Sequence, residues 1–354
     1  MSKFVPLKVV RVIRETSDAS TIVFEKPTDG SFNYKAGQYL TLKLNVAGES
    51  LRRAYSLCTS PYVDSEMAVT VKRVEGGRVS NFVYSNLKAG DSVEVFPPMG
   101  NFSLVPNPSS ARHVVLFGGG SGITPLMSIL KTVLGTEPES RVTLVYGNKD
   151  EESIIFKAEL EQLVEKSGDR FRVVHILSHP SPSWIGMKGL PLRHVVLGMA
   201  QDIMNSDKLP KSYWMCGPGP MMEEVQAALG FLGIPREQIH RENFAASLPE
   251  VTGEVKAAAE AKRGDYTITV RLDGAEKKVL VKSNQTVLEA VIGEGMDPPY
   301  ACQMGVCCTC RAMRLSGKVE MEEDEGLSDA EIAEGYILTC QSHPLTPDVV
   351  IEYR

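Results

Sequence analysis

Four cysteines constrain this chain more than any other feature. Cys302, Cys307 and Cys310 fall within nine residues and Cys340 follows, giving the spacing C-x4-C-x2-C-x29-C. Thiolates at that spacing can hold the two irons of a [2Fe–2S] cluster, three from one tight loop and the fourth from a distant segment. A loop bent so sharply needs a residue without a side chain, and Gly305 stands inside it. The competing readings are unrelated buried thiols or a zinc site, for which only Cys307-x2-Cys310 has the usual knuckle form. Cys308 lies inside the loop but outside the spacing, so it reads as a small buried residue and not as a ligand. The chain has seven cysteines, an odd number, and charges interrupt any signal-peptide core at its N-terminus. That argues against a disulfide framework and predicts a cytoplasmic protein.

The remaining pattern predicts a multidomain chain, since 354 residues suit roughly two to three domains. Residues 1–108 carry short alternating or β-branched runs, such as 20–24, 39–44 and 67–72, separated by turn residues, and read as a small antiparallel β-barrel. Residues 109–246 alternate strands (113–117, 142–146, 171–175, 212–216) with helical segments (126–134, 156–166, 221–232), the rhythm of an α/β parallel sheet. Residues 247–263 are rich in alanine and charge without an apolar stripe and read as a linker. Residues 264–354 open with strands at 266–272 and 278–281, then a helix near 286–294, the cysteine loop and a last strand at 349–353. The net charge of −6 argues against a nucleic-acid surface, and no apolar run approaches the roughly 20 residues of a membrane span.

Other segments carry ligand chemistry. Gly118-Gly119-Gly120-Ser121-Gly122 follows a strand and opens a helix, where bare backbone and helix N–H groups favour a phosphate; a mere tight turn is the alternative. Cys216-Gly217-Pro218-Gly219-Pro220 ends another strand, where open α/β sheets bind ligands. In the barrel, Arg53 and Tyr55 share one strand face, with Ser56 beside them: a cation for a pyrophosphate and an aromatic for a planar ring, or simply an exposed strand. Gly76-Gly77-Arg78-Val79-Ser80 precedes a second helix whose N-terminus could take a phosphate.

Taken in order, RxYS, GGxVS, GGGSGITP, CGPxPM, ENF and CxxxxCxxC…C resemble the ferredoxin–NADP reductase superfamily with a C-terminal plant-type ferredoxin. Within it, the reductase components of oxygenases of the phenylacetyl-CoA epoxidase and ketosteroid hydroxylase type are the most similar. The resemblance spans essentially the whole chain. It implies an FAD barrel, a nucleotide-binding α/β domain and a β-grasp ferredoxin domain. It implies that Arg53, Tyr55 and Ser56 bind FAD, with Ser56 near flavin N5, and that Gly77, Val79 and Ser80 hold its pyrophosphate. Gly119, Gly120 and Thr124 would line the NAD(P)H site, Cys216 and Gly217 would flank the nicotinamide, and Glu242 and Phe244 would stand near the flavin edge. Ser56, Cys216 and Glu242 are then the catalytic candidates, and Cys302, Cys307, Cys310 and Cys340 the cluster ligands. Gln303 and Cys308 depart from the family, where a basic residue and a small non-thiol are common.

The implied activity is electron transfer from NAD(P)H through FAD and the [2Fe–2S] cluster to an oxygenase or other redox protein. No di-iron carboxylate set and no Rieske histidine pair is apparent in the sequence, so oxygen chemistry would belong to the partner. A desaturase as acceptor, or a non-catalytic redox sensor, remains an open alternative. Near the second strand end, Lys149 would attract the 2′-phosphate of NADPH while Asp150, Glu151 and Glu152 would repel it, which predicts a modest preference for NADH. Residues 265–354 hold 16 acidic and 8 basic side chains. That imbalance predicts an acceptor that docks on an acidic ferredoxin domain, the alternative being a solvated helix and acidic loop that keep a small domain soluble; the chain is expected to be a monomer.

Overall fold

The computed structural model describes residues 4–244 and 263–354; the expected linker, apart from Arg263, lies outside them. The first unit contains β1 (Val5–Arg14), β2 (Ala19–Phe24), β3 (Tyr39–Val46), β4 (Glu49–Ser56), β5 (Met67–Lys72), α1 (Arg78–Asn86) and β6 (Ser92–Met99). Its strands form one antiparallel six-stranded sheet in the order β4-β3-β6-β1-β2-β5. The sheet curls until Leu57, just beyond β4, bridges to Val69 of β5, so the two edge strands meet as in a barrel. Leu40, Leu42, Ile22, Val69 and Val95 fill the interior, each at an alternate position along its strand.

The second unit contains β7 (His113–Gly119), α2 (Ile123–Thr136), β8 (Arg141–Asn148), α3 (Lys157–Ser167), β9 (Phe171–Leu177), β10 (Met187–Lys188), α4 (Arg193–Ser206), β11 (Lys211–Cys216), α5 (Gly219–Phe231) and β12 (Ile239–Glu242). The six strands are parallel, in the order β10-β9-β8-β7-β11-β12. Strand β7 is buried at every residue, as a central strand covered on both faces must be. The chain reverses direction across the sheet between β7 and β11, and the C-terminal ends of those strands open the crevice where such sheets bind ligands. Helix α2 fastens this unit to the barrel: Lys131 Nζ reaches Asp64 at 2.8 Å and Ser60 Oγ lies 2.6 Å from Thr132 Oγ1.

The third unit contains β13 (Tyr266–Leu272), β14 (Ala275–Val281), α6 (Val287–Gly293), β15 (Arg311–Ser316), β16 (Val319–Met321), α7 (Asp329–Glu334), β17 (Tyr336–Leu338), β18 (Ser342–Pro344) and β19 (Val350–Glu352). Five of its strands form a mixed sheet, β14-β13-β19-β15-β17, whose central pair β13–β19 is parallel. Helix α6 packs its Val287, Ala290 and Val291 against that sheet, in the manner of a β-grasp. Both short helices begin with a reciprocal capping box, Thr286 with Glu289 and Ser328 with Glu331.

Candidate functional site

The cysteine loop joins α6 to β15, and Cys340 comes from the turn between β17 and β18. At Gly305 φ is +77°, and a Cβ there would lie 2.6 Å from that of Glu323, so the sharp bend expected at this residue requires glycine. The four candidate ligands fall into two pairs. Cys307 hydrogen-bonds Cys302 and brings its thiol down to about 6, while Cys310 is held well above the usual thiol range by its hydrogen bond with Cys340. Among the described residues no three His, Cys, Asp or Glu side chains crowd together as around one metal ion. Two pairs of thiols suit a binuclear cluster, where each iron takes two cysteines, better than a tetrahedral zinc site.

This loop rests on the outer face of the barrel. Since Leu40 and Leu42 point inward, the alternate residues Tyr39 and Thr41 point out. The Cys308 N–H donates to Tyr39 Oη at 3.1 Å, and Thr309 Oγ1 lies 3.1 Å from Tyr39 Oη and 3.2 Å from Thr41 Oγ1. On the neighbouring strand, Ser56, Ala54 and Arg52 stand opposite Tyr39, Thr41 and Lys43 and share that face. Arg52 is only 3% exposed. Its Nη1 donates to Pro298 O at 2.7 Å, Nη2 pairs with Asp297, and its guanidinium lies 4.1 Å from the centre of the Tyr300 ring.

Two small clefts open where the three units meet. One, of about 90 Å³, is lined by Arg53, Ala54 and Ser56 of the barrel, Glu242 at the end of β12 and Phe244 just beyond it, and the candidate ligands Cys302 and Cys307. The other, of about 70 Å³, shares Tyr39, Glu242, Asn243, Val306 and Cys307 with it. Together they have room for the edge of a planar ring; the rest of an FAD would lie outside them. Glu242 has its carboxyl raised to about 8, first by burial and then by the nearby Glu325 charge. Asn243 Nδ2 donates to Glu325 itself. Tyr55 does not line either cleft and packs instead against the barrel core. Arg53 is exposed, its Nη1 on the Arg52 carbonyl at 2.7 Å. Gly77 caps α1, with Val79 and Ser80 buried in its first turn; Ser80 Oγ accepts the Val74 N–H at 3.1 Å.

A larger cleft, about 500 Å³, lies at the C-terminal ends of β7, β8 and β11 and is lined by Gly119, Gly120, Lys149, Ser178, Pro218 and Met221. That volume suits a nucleotide. Gly122 enters α2 so close to the end of β11 that a Cβ would sit 2.0 Å from the Cys216 carbonyl oxygen. Thr124 does not face this cleft: it is buried and its hydroxyl donates to Ser121 O at 3.0 Å. Cys216 is fully buried, and burial raises its thiol well above the ordinary range.

Comparison with known proteins agrees with this division. The description "oxidoreductase FAD-binding domain" matches residues 6–104, "oxidoreductase NAD-binding domain" residues 116–227, and "2Fe-2S iron-sulfur cluster binding domain" residues 270–345. The whole chain aligns, at 36% identity, with 98% of a component of the 1,2-phenylacetyl-CoA epoxidase of Escherichia coli. It is 39% identical, over 99% of its length and 97% of the relative, to the ferredoxin reductase component of 3-ketosteroid-9-alpha-monooxygenase of Rhodococcus rhodochrous. The chain belongs to the ferredoxin–NADP reductase superfamily, in the branch with a C-terminal [2Fe–2S] domain. Phthalate dioxygenase reductase shares the fold, with a TM-score of 0.59 over 99% of this chain and 98% of that one at 23% identity. As a member of this branch the protein is an NAD(P)H-dependent flavin and iron–sulfur oxidoreductase. Among the described residues no helix is long and apolar enough to cross a membrane.

Tyr39 and Arg52 escaped the sequence reading, and Asn243 entered it only as the middle of the ENF segment, without a role. Arg52 was the most accessible of them, because in a strand the residue before Arg53 must face the other way.

Proposed function

We propose that this protein is the reductase component of a multicomponent oxygenase, supplying electrons to a separate epoxidase or hydroxylase of the phenylacetyl-CoA epoxidase type. The observation that supports this reading is the cleft walled at once by barrel, parallel-sheet unit and cysteine loop, with Ser56, Glu242 and Cys307 on its three sides. When bound, FAD would supply the conversion of an NAD(P)H hydride into single electrons, the only form in which a [2Fe–2S] cluster could take them. In this reading Arg53 and the α1 N-terminus at Gly77, Val79 and Ser80 hold the FAD phosphates, and Tyr55 and Ser56 orient its ring. Gly119, Gly120 and Gly217 admit the NAD(P)H backbone, Thr124 fixes the turn that they form, and Cys216 and Phe244 fill the space beside the rings. Glu242, neutral at pH 7, can give a hydrogen bond where a carboxylate could not. Cys302, Cys307, Cys310 and Cys340 hold the cluster. A cytoplasmic protein belongs to the same proposal, since the ligating thiols must stay reduced, and it would act as a monomer.

The acceptor would dock on the acidic third unit, but through only part of its charge. Glu320 and Glu322 are paired with Arg263, Glu325 with Asn243, and Glu331 with Arg311 and Asn101. Glu323, Asp324, Asp329 and Glu334 are exposed and form the proposed contact. The test is the second-order rate of reduction of a candidate oxygenase against ionic strength. It should fall between 0.01 and 0.15 M salt, where the Debye length shrinks from about 30 to about 8 Å. Flavin reduction by bound NAD(P)H, followed by stopped flow, should stay constant. A flat acceptor rate sinks the acidic docking site, and failure to sustain product formation by any such oxygenase sinks the assignment of partner.

A further inference from the structure

Tyr39 belongs to the barrel, yet its hydroxyl is bonded inside the cysteine loop, and it is buried to within 5%. It lines both clefts at the junction. Its oxygen already accepts the Cys308 N–H at 3.1 Å, which leaves its own proton to give. Two acceptors are in reach, Thr309 Oγ1 at 3.1 Å and Cys308 Sγ at 3.3 Å. Oxygen is the better acceptor of the two. Thr309 in turn lies 3.6 Å from Cys307 Sγ. As a cluster ligand Cys307 is a thiolate and has no proton to donate, so the Thr309 hydroxyl must be the donor in that bond.

We propose that Tyr39 is a positioning residue for the electron step between the cofactors: through Thr309 it hydrogen-bonds the ligand Cys307, so the flavin barrel helps set the cluster's reduction potential. Hydrogen bonds to cluster sulfurs stabilise the more negative, reduced state and raise the potential. A hydroxyl that accepts a hydrogen bond donates more strongly, so Tyr39 strengthens the Thr309–Cys307 bond without touching the sulfur. Thr41, 3.2 Å from Thr309 Oγ1 on the same barrel strand, is a second partner from the same face. The consequence is that the cluster is easier to reduce while its loop rests on the barrel than when it is free of it. This inference rests on the proposed path only in taking Cys307 as a ligand.

The experiment is a redox titration of the cluster, monitored by electron paramagnetic resonance, in the full FAD-loaded chain. Thr309→Val should shift the one-electron equilibrium about tenfold towards the oxidised cluster, about 59 mV. Tyr39→Phe should shift it the same way by about threefold, since Thr41 still reaches Thr309. The double variant Tyr39→Phe/Thr309→Val should match Thr309→Val alone, because Tyr39 acts through that hydroxyl, and Thr309→Ser should restore the parent value. A Tyr39→Phe protein with the parent potential overturns the relay, and so does a double variant whose shift is the sum of the two. Reduction of the cluster by NAD(P)H, recorded on the same samples, tests the electron path separately. If the potentials shift as expected while NAD(P)H never reduces the cluster, the path is wrong and the relay stands.

Discussion

Cys216 and Glu242 face each other across the parallel strands β11 and β12, and both stay protonated at neutral pH. For Glu242 this has a consequence for stability. Its folded value of about 8 lies above the ordinary 4.5, so the unfolded chain releases the proton first. The folded state is then at its full relative stability below about pH 4.5 and loses it progressively up to about pH 8. Glu242→Gln should remove this slope. The check is the thermal midpoint of the loaded protein from pH 5 to 8.5, read as the difference between parent and variant, which cancels the histidines. Parallel profiles would show that the carboxyl is not held neutral.

Cys302→Ser should abolish reduction of one-electron protein acceptors such as cytochrome c while ferricyanide reduction by NAD(P)H persists. The nucleotide-sized cleft at the ends of β7 and β11 contains no cysteine-loop residue, so hydride transfer should not need the cluster. The parent protein should contain iron and inorganic sulfide in equal amounts and no zinc. Loss of both activities in a folded, FAD-replete variant would contradict the serial order.

At Gly122 a methyl group has no room, with the Cys216 carbonyl oxygen 2.0 Å from the position it would take. Gly122→Ala must push α2 away from the end of β11, and we expect the KM for NAD(P)H to rise by about tenfold or more. Gly198, in the middle of α4, has nothing within 4 Å of such a methyl, so Gly198→Ala should stabilise the protein by about 0.5–1 kcal/mol. Steady-state kinetics and thermal melts of the two variants check the contrast. Equal behaviour would mean that the crevice relaxes freely.

Periodicity made the barrel strands and the parallel sheet legible, because Leu40 and Leu42, or the unbroken apolar run of β7, point to burial without knowledge of neighbours. What alternation cannot say is which unit covers an outward face. Arg53 and Tyr55 do share a face, as expected, but the cysteine loop rests on the other one, through Arg52 and Tyr39. Helix α4 was missed because Gly198 interrupts its pattern and no side chain caps its start. Helix α7 carried a usable signal, Ser328 three residues before Glu331. Strands β16 and β18 are three residues each, too short for a period to show.

The preference between NADH and NADPH should depend on Lys149, which lines the nucleotide cleft. Two of the three acids expected to oppose it are engaged locally: Asp150 accepts the Ser153 N–H at 2.9 Å, and Glu151 accepts that of Ser181 at 3.2 Å. Lys149→Ala should therefore raise the KM for NADPH about fivefold, the effect of about 1 kcal/mol at an exposed charge, with little change for NADH. An equal effect on both nucleotides would place the 2′-phosphate elsewhere.

Arg52 should govern how fast electrons cross from barrel to cysteine domain. It is a buried cation whose polar partners all come from the third unit, the Pro298 carbonyl at 2.7 Å and the Asp297 carboxylate, while its guanidinium lies between 4 and 5 Å from two rings, Tyr300 of the third unit at 4.1 Å and Phe4 of the first at 4.8 Å. Asp297 is 67% exposed and keeps Lys43 Nζ at 3.7 Å when Arg52 is removed. Arg52→Met then costs the bond to Pro298 and the stacking, about 1.5–3 kcal/mol for a charged hydrogen bond, and leaves no stranded charge. Arg52→Lys keeps the charge but loses the planar fork that spans Pro298 and Asp297, so it should repair only part of the defect. Since about 1.4 kcal/mol corresponds to a factor of ten in a population, the docked arrangement should become at least several-fold less populated in Arg52→Met. Cytochrome c reduction should fall by about tenfold, with ferricyanide reduction and flavin reduction by NAD(P)H unchanged. Anaerobic stopped flow separates the steps, because the flavin bleaches at the parent rate and reoxidises slowly into the cluster. A parent rate of reoxidation in Arg52→Met would show that the anchor stabilises the fold without setting the electron step.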